Sequence, residues 1–209
     1  VGGRSGIGLE IVKRLAPMDC QLDVMARADH FEMASARIRY HACDLSRDDV
    51  AFDFLPDQLH GVVYCPGTIR LKPLARLSEA DFMEDWQTNV MGAVRVLKAC
   101  QNRLKKARGG ASVVLFSTVA VALGMPFHAS IAAAKGAVEG LMRSLAAEWA
   151  PRVRVNAIAP SLTDTPLAGD LLEKKHVQKV FPEGISHSCR NIRRPYLADI
   201  WRGQHVHAT

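Results

Sequence analysis

The sequence predicts an α/β protein built on one doubly wound parallel sheet, and three observations carry that reading. Short apolar strands recur along the chain, segments with helical spacing separate the later ones, and a glycine cluster at residues 2–8 leads straight into the first helix. A length of 209 residues suits a single domain with a sizeable core.

In GIGLEIVKRL (residues 6–15), Ile7, Ile11, Val12 and Leu15 share one helical face, and Pro17 follows as a stop. QLDVMA (21–26) alternates Leu22, Val24 and Ala26 in the manner of a strand. Further strands are expected at IRYHAC (38–43), GVVYC (61–65), ASVVLF (111–116) and VRVNAI (153–158). Ser78 with Asp81 three residues on is a variant capping box, and the helix it opens runs through Phe82, Trp86, Val90 and Val94 towards Leu97. The next helix carries HASIAAAK (128–135) and continues through Val138, Leu141, Met142 and Leu145 to Trp149, where Pro151 ends it. Its alanines supply helix propensity, and Ile131 and Lys135 lie one turn apart on one face.

A composition of 48% hydrophobic and 23% charged residues is that of a soluble globular protein. No apolar run approaches the roughly 18 to 20 residues that cross a bilayer, and the first residues carry no charged-then-apolar leader. The expectation is a cytoplasmic protein with no membrane partner. Cys20, Cys43, Cys65, Cys100 and Cys189 are scattered without paired spacing, which fits buried reduced thiols better than disulfides or metal ligands. His187, Cys189, His205 and His207 likewise match no standard metal spacing. The net charge of +6 comes from dispersed basic residues, clustered only at Lys105, Lys106 and Arg108 and at Arg193 and Arg194. No aromatic residues interleave with them, so the charge points to an anionic small molecule and not to nucleic acid.

The opening VGGRSGIG sets Gly2, Gly6 and Gly8 before a helix, with Arg4, Ser5 and Ile7 among them. Glycines there let the backbone turn tightly and approach a pyrophosphate, which exposed N–H groups and the helix dipole then hold. Spacing of G-x-x-x-G-x-G, followed by an amphipathic helix and a strand, is the context of a Rossmann-type dinucleotide site. Arg27 closes that strand where such a fold meets the adenosine ribose. A carboxylate there suits the 2′-hydroxyl of NAD, whereas a guanidinium suits the 2′-phosphate of NADP. With Ala26 before Arg27 and Arg4 in the glycine loop, the expected cofactor is NADP, with NAD possible.

Taken together, GGRSGIG (2–8), CDL (43–45), Pro66 with Gly67, TNV (88–90), AAAK (132–135) and NAIAP (156–160) resemble the short-chain dehydrogenase/reductase family across residues 1–168. The resemblance implies that Gly2, Gly6, Ile7 and Gly8 cradle the dinucleotide, with Arg4 and Ser5 in the same loop, and that Asp44 contacts adenine. Gly67 would let the backbone pass close to the cofactor, while Pro160 and Thr165 belong to the loop flanking the nicotinamide amide. Asn89 matches the family's helix-bending asparagine, which holds a water in a proton relay, and Lys135 matches the lysine on the nicotinamide ribose. The implied activity is hydride transfer between a nicotinamide cofactor and a small-molecule carbonyl or secondary alcohol, with Asn89, Thr118 and Lys135 as the catalytic set.

Two positions depart from the family pattern. Tyrosine is expected four residues before the lysine and serine thirteen before that tyrosine, and these places hold Ile131 and Thr118. Thr118 still offers a hydroxyl, with Ser117 beside it as a second candidate; Ile131 transfers no proton. General acid catalysis of this kind contributes about 100-fold to 10,000-fold, so its loss leaves cofactor binding with slow turnover. Ser130 is rotated by roughly 100° from Ile131, off the lysine face, and His128 lies seven residues before Lys135, about 10 Å along the axis if the helix reaches it. His128 is the best substitute acid, though a helix-start cap describes it better. The alternative function is a dinucleotide-binding sensor or scaffold without useful catalysis.

The family pattern also expects a strand before the glycine loop, where only Val1 stands, and an apolar helix followed by a glycine-flanked strand after Leu172. Residues 1–168 are therefore read as the dinucleotide-binding domain. Residues 169–209 are read as an atypical tail, either altered, as by a frameshift in a fragment, or a substrate lid that includes Leu167, Leu171 and Leu172. Ala129, Ala132, Ala133, Gly136, Ala137 and Gly140 allow close backbone approach, and the family uses this helix in a dimer face, so a homo-oligomer, dimer or tetramer, is expected.

Overall fold

A computed structural model describes residues 1–45, 47 and 50–169. These form two compact units, one of Val1–Val50 with the described residues from Ser161 onward, the other of Ala51–Pro160. The expected order of helices and parallel strands is present in both, and the described strands form two parallel sheets.

In the first unit, helix α1 (Gly6–Leu15) precedes strands β1 (Leu22–Ala26) and β2 (Ile38–Ala42), which pair in parallel from Leu22 opposite Ile38 to Ala26 opposite Ala42. Val12, Val24, Phe31 and Ile38 make the core, and the Phe31 and Tyr40 rings stack with centroids 5.2 Å apart. The alternation expected for β1 is not observed, since Val24 and Met25 are both buried. A strand covered on both faces loses the period-two signature, as parallel strands commonly do. A short 3-10 turn, Pro166–Ala168, closes the described chain.

The second unit is a parallel sheet in the order β3 (Gly61–Tyr64), β4 (Ala111–Phe116), β5 (Val153–Ile158). Central β4 is buried at all six positions, which explains its unbroken apolar run. Around it lie α2 (Glu79–Trp86), α3 (Gly92–Lys105), the one-turn α4 (Ala120–Leu123) and α5 (Ala129–Trp149). The Ser78 capping box forms as expected: Ser78 Oγ accepts from the Asp81 N–H at 3.2 Å, and the Ser78 N–H donates to Asp81 Oδ2 at 2.9 Å. That backbone bond, followed by Lys72, holds the Asp81 carboxyl well below its usual range.

The single long helix expected from Ser78 to Leu97 is a correction. A π-type turn at Gln87–Met91 separates α2 from α3, so one extra residue enters the ladder around Asn89. The other end of the helical layer agrees with the sequence: Ala150 is extended, φ −61° and ψ 150°, because the Pro151 ring disfavours helix before it. Buried thiols were expected throughout, yet of the described cysteines Cys100 alone is buried, while Cys20, Cys43 and Cys65 are half-buried and all four are free. Lys105 lies over the Trp149 ring, 5.8 Å from its centroid, so part of that basic cluster packs instead of standing in water.

Among the described residues no helix is long and apolar enough to cross a membrane, and no group of three His, Cys, Asp or Glu is placed to hold a metal. His187, Cys189, Arg193, Arg194, His205 and His207, together with Leu171 and Leu172, lie outside the described residues. Leu167 is exposed.

Candidate active site

Parallel strands deliver their following loops to one end of a sheet, and in open α/β folds that carboxyl end is where ligands bind. Both units place the residues singled out by the sequence there, and each cluster is built locally.

In the first unit the Gly2 N–H donates to Met25 O at 2.7 Å, tying the glycine loop to the end of β1. Gly2 and Gly6 adopt φ of +73° and +51°, the left-handed region where side chains are strained. Gly8 is required for a different reason: a Cβ there would stand 2.2 Å from Gly2 O. Ser5 is exposed and extended just before α1, and its carbonyl accepts from the Leu9 N–H at 3.1 Å; Ile7 is half-buried. Arg4 and Arg27 are both exposed, and Arg4 Nε donates to His30 O at 3.3 Å. The turn that carries Arg27 is fixed by Tyr40, whose hydroxyl donates to Ala28 O. Asp44 is half-buried two residues beyond β2. Thr165 packs against the loop, with its Cβ and Cγ2 each 3.3 Å from the point where a Gly6 Cβ would lie.

In the second unit the ends of β3, β4 and β5 deliver Gly67, Thr118 and Pro160. Lys135 projects from the first turns of α5 and donates from Nζ to Phe116 O at 2.8 Å. Burial disfavours its charged form and brings its pKa down to about 8, opposed by the neighbouring Cys65 and Asp85. Cys65, at the end of β3, is pushed up to about 11 by burial. Asn89, on the π-type turn, is 1% exposed, and both its amide hydrogens are used, one to Thr68 Oγ1 at 2.9 Å and one to Asp85 O at 2.7 Å. Its Oδ1 is buried without a partner. A Cβ on Gly67 would come within 3.3 Å of both that oxygen and Lys135 Nζ, so the glycine leaves the space in which the two meet.

The two hydroxyls after β4 divide their work. Ser117 is buried and donates to Glu139 Oε1 at 2.5 Å, which fastens β4 to α5. Thr118 is half-buried, and its oxygen accepts from the Ala120 N–H at 3.3 Å, leaving its hydroxyl proton uncommitted among the described residues. Pro160 O accepts from the Val119 N–H at 3.2 Å, which joins the end of β5 to the Thr118 loop. Ile131 is a core residue, 5% exposed. His128 is the N-cap of α5, since the helix begins at Ala129, and its Nδ1 is engaged with Pro126 O at 2.7 Å. His128 thus stands at the cap position without a side-chain cap bond, its ring engaged with the preceding loop.

Sequence reasoning missed the buried carboxylate of Asp85, which accepts from Thr68 Oγ1 at 2.6 Å and from Ser130 Oγ at 2.5 Å. The available signal was helical spacing: Asp85 precedes Asn89 by four residues and so shares its buried face. Within the second unit an unpaired buried acceptor beside a buried ammonium fits a ligand hydroxyl as the missing polar partner, and within the first unit the glycine loop before α1 fits a phosphate group.

Comparison with known proteins agrees with this fold. A family model described as short chain dehydrogenase matches residues 1–176. A tropinone reductase homolog of Arabidopsis thaliana is 29% identical, with 85% of this chain and 74% of that protein covered. The 3-oxoacyl-[acyl-carrier-protein] reductase of Homo sapiens is 30% identical, with 88% and 81% covered. The structure of ElxO with NADP bound superposes with a TM-score of 0.77 over 97% of this chain and 87% of that one, at 20% identity, a likeness of fold. On the extent of the family match and the reductase relatives together, the chain belongs to the short-chain dehydrogenase family.

Proposed function

We propose that this chain binds NADP in preference to NAD and acts on a carbonyl or secondary alcohol as a short-chain oxidoreductase whose turnover is limited by the missing phenol. The observation that carries the reading is the pairing of an intact Lys135 environment with a buried Ile131 in the proton donor's place. Preference for NADP rests on Arg27 and Arg4, two exposed guanidinium groups around the end of β1 that suit a 2′-phosphate. ElxO, with NADP bound, lends the fold-level parallel.

When bound, the nicotinamide supplies the hydride. The chain's own residues do the rest. Backbone N–H groups at the start of α1 hold phosphate, and Gly2, Gly6 and Gly8 keep the loop free of side chains. Lys135 offers its remaining hydrogens to a ribose hydroxyl, and Asn89 Oδ1 accepts from a water or a hydroxyl. Thr118 donates its hydroxyl proton to a substrate carbonyl oxygen and polarises it. No residue at position 131 delivers a proton to the oxygen as it becomes an alkoxide, so that proton has to come from Lys135 or from water.

A second reading, a sensor or scaffold that holds the dinucleotide without catalysis, is favoured by the same burial of Ile131. Steady-state and burst NADPH oxidation over a panel of carbonyl compounds separates the two, with Ile131→Tyr as the gauge. A slow oxidoreductase shows turnover above background in the parent and a gain of about 100-fold or more in the variant. A parent at background with a variant that gains such a rate would make the enzyme reading untenable and leave the sensor.

A further inference from the structure

We propose that Asp85 is a positioning residue of this site: its buried carboxylate orients the Asn89 amide and acts as the counter-charge that keeps the Lys135 ammonium in place where no phenol stands beside it. This deepens the reading above and rests on it only for the cofactor.

The hydrogen-bond directions leave one arrangement. Thr68 has a single hydroxyl hydrogen, and it goes to Asp85 Oδ1 at 2.6 Å; its oxygen must therefore accept from Asn89 Nδ2, 2.9 Å away. The second Asn89 hydrogen reaches Asp85 O at 2.7 Å, so the same residue holds the amide through its side chain by way of Thr68 and through its backbone directly. Asn89 Oδ1 is thereby turned to the space that Gly67 leaves open beside Lys135 Nζ. On the other side Ser130 donates to Asp85 Oδ2 at 2.5 Å, pinning α2 to the first turn of α5 next to Ile131. Asp85 is 0% exposed and Ser130 1%, so neither touches a substrate.

Among the described residues the buried Asp85 carboxylate accepts from two neutral hydroxyls, which leave its charge incompletely compensated, and its charge acts on the Lys135 ammonium across the cluster. The titratable groups acting on Lys135 are Cys65 after β3 and Asp85 on α2. Glu139, one turn farther along α5, is engaged by Ser117 and pairs with Arg143 at 3.6 Å. Of the two groups that favour the ammonium, Asp85 is the carboxylate, and Cys65 stays a neutral thiol below about 11.

The test follows the Lys135 side-chain 13Cε resonance, assigned by its loss in Lys135→Met, through a pH titration of the full chain without cofactor. In Asp85→Asn the amide oxygen accepts from one of the two hydroxyls and the NH2 group faces the other, and the midpoint is expected to fall by about half a pH unit or more from its parent value, as one partly screened charge is removed. Ser130→Ala, which keeps the charge, is expected to leave the midpoint in place. If Asp85→Asn does not fold, Asp85→Ser removes the same charge while keeping a hydroxyl. An unmoved or raised midpoint in a folded variant overturns the proposal. In parallel, NADPH affinity is followed across pH: it should decline as pH rises through the Lys135 midpoint and decline earlier in Asp85→Asn. A shifted midpoint with no NADPH binding in either protein upholds Asp85 and sinks the cofactor reading, so the two fail separately.

Discussion

Ile131 changes one atom group and leaves its surroundings ordered: Lys135 keeps its bond to Phe116 O, and Asn89 keeps its amide fixed. What those two share is the gap at Gly67, and a methyl group there is the smallest probe of it. Gly67→Ala would set its Cβ 3.3 Å from both Asn89 Oδ1 and Lys135 Nζ, and Asn89 has little freedom to yield. Overpacking of this size destabilises the fold by about 1 kcal/mol or more. Thermal denaturation reads it as a lowered Tm, and isothermal titration with NADPH is expected to show weaker binding as well, because the methyl group takes the space beside Lys135 Nζ. At this scale Lys135, Ile131 and Thr118 were picked out by the resemblance to the family pattern. It left Ser117 and Thr118 undivided, because the partner that commits Ser117, Glu139, lies 22 residues on. Asp85 escaped for the same reason, its hydroxyl partners being 17 and 45 residues away.

At the level of elements, the strands and capped helices were legible because local chemistry fixes them: the Ser78 box starts α2, and Pro151 ends α5. The π-type turn at Gln87–Met91 follows no local rule. It is stabilised from β3, where the Tyr64 hydroxyl donates to Thr88 O at 2.7 Å, and Gly92 makes room for that phenol. A Cβ on Gly92 would lie 2.2 Å from the Tyr64 oxygen. Gly92→Ala is therefore expected to destabilise the protein by about 1–3 kcal/mol, and Tyr64→Phe by about 1 kcal/mol through the lost hydrogen bond. The double variant should lose less than the sum of the two, because the phenylalanine no longer opposes the methyl group. Urea denaturation of the four proteins measures that coupling; strict additivity would mean that the phenol does not shape the turn.

For the whole molecule, the parallel α/β class was legible from alternation, and the family match over residues 1–176 agrees with the motifs quoted from both units. The alternation read in β1 is not matched by its burial, because Met25 is buried as well as Val24. The central claim concerns a dinucleotide phosphate held at the start of α1 and a lysine ammonium at the nicotinamide ribose, with guanidinium groups selecting the 2′-phosphate. Calorimetric titration of the folded protein at pH 7 with NADPH and then with NADH tests this most directly. The account predicts saturable heat with NADPH and affinity for NADH weaker by about tenfold or more, the size of one charge-assisted contact. No heat with either nucleotide, or tighter binding of NADH, would contradict it.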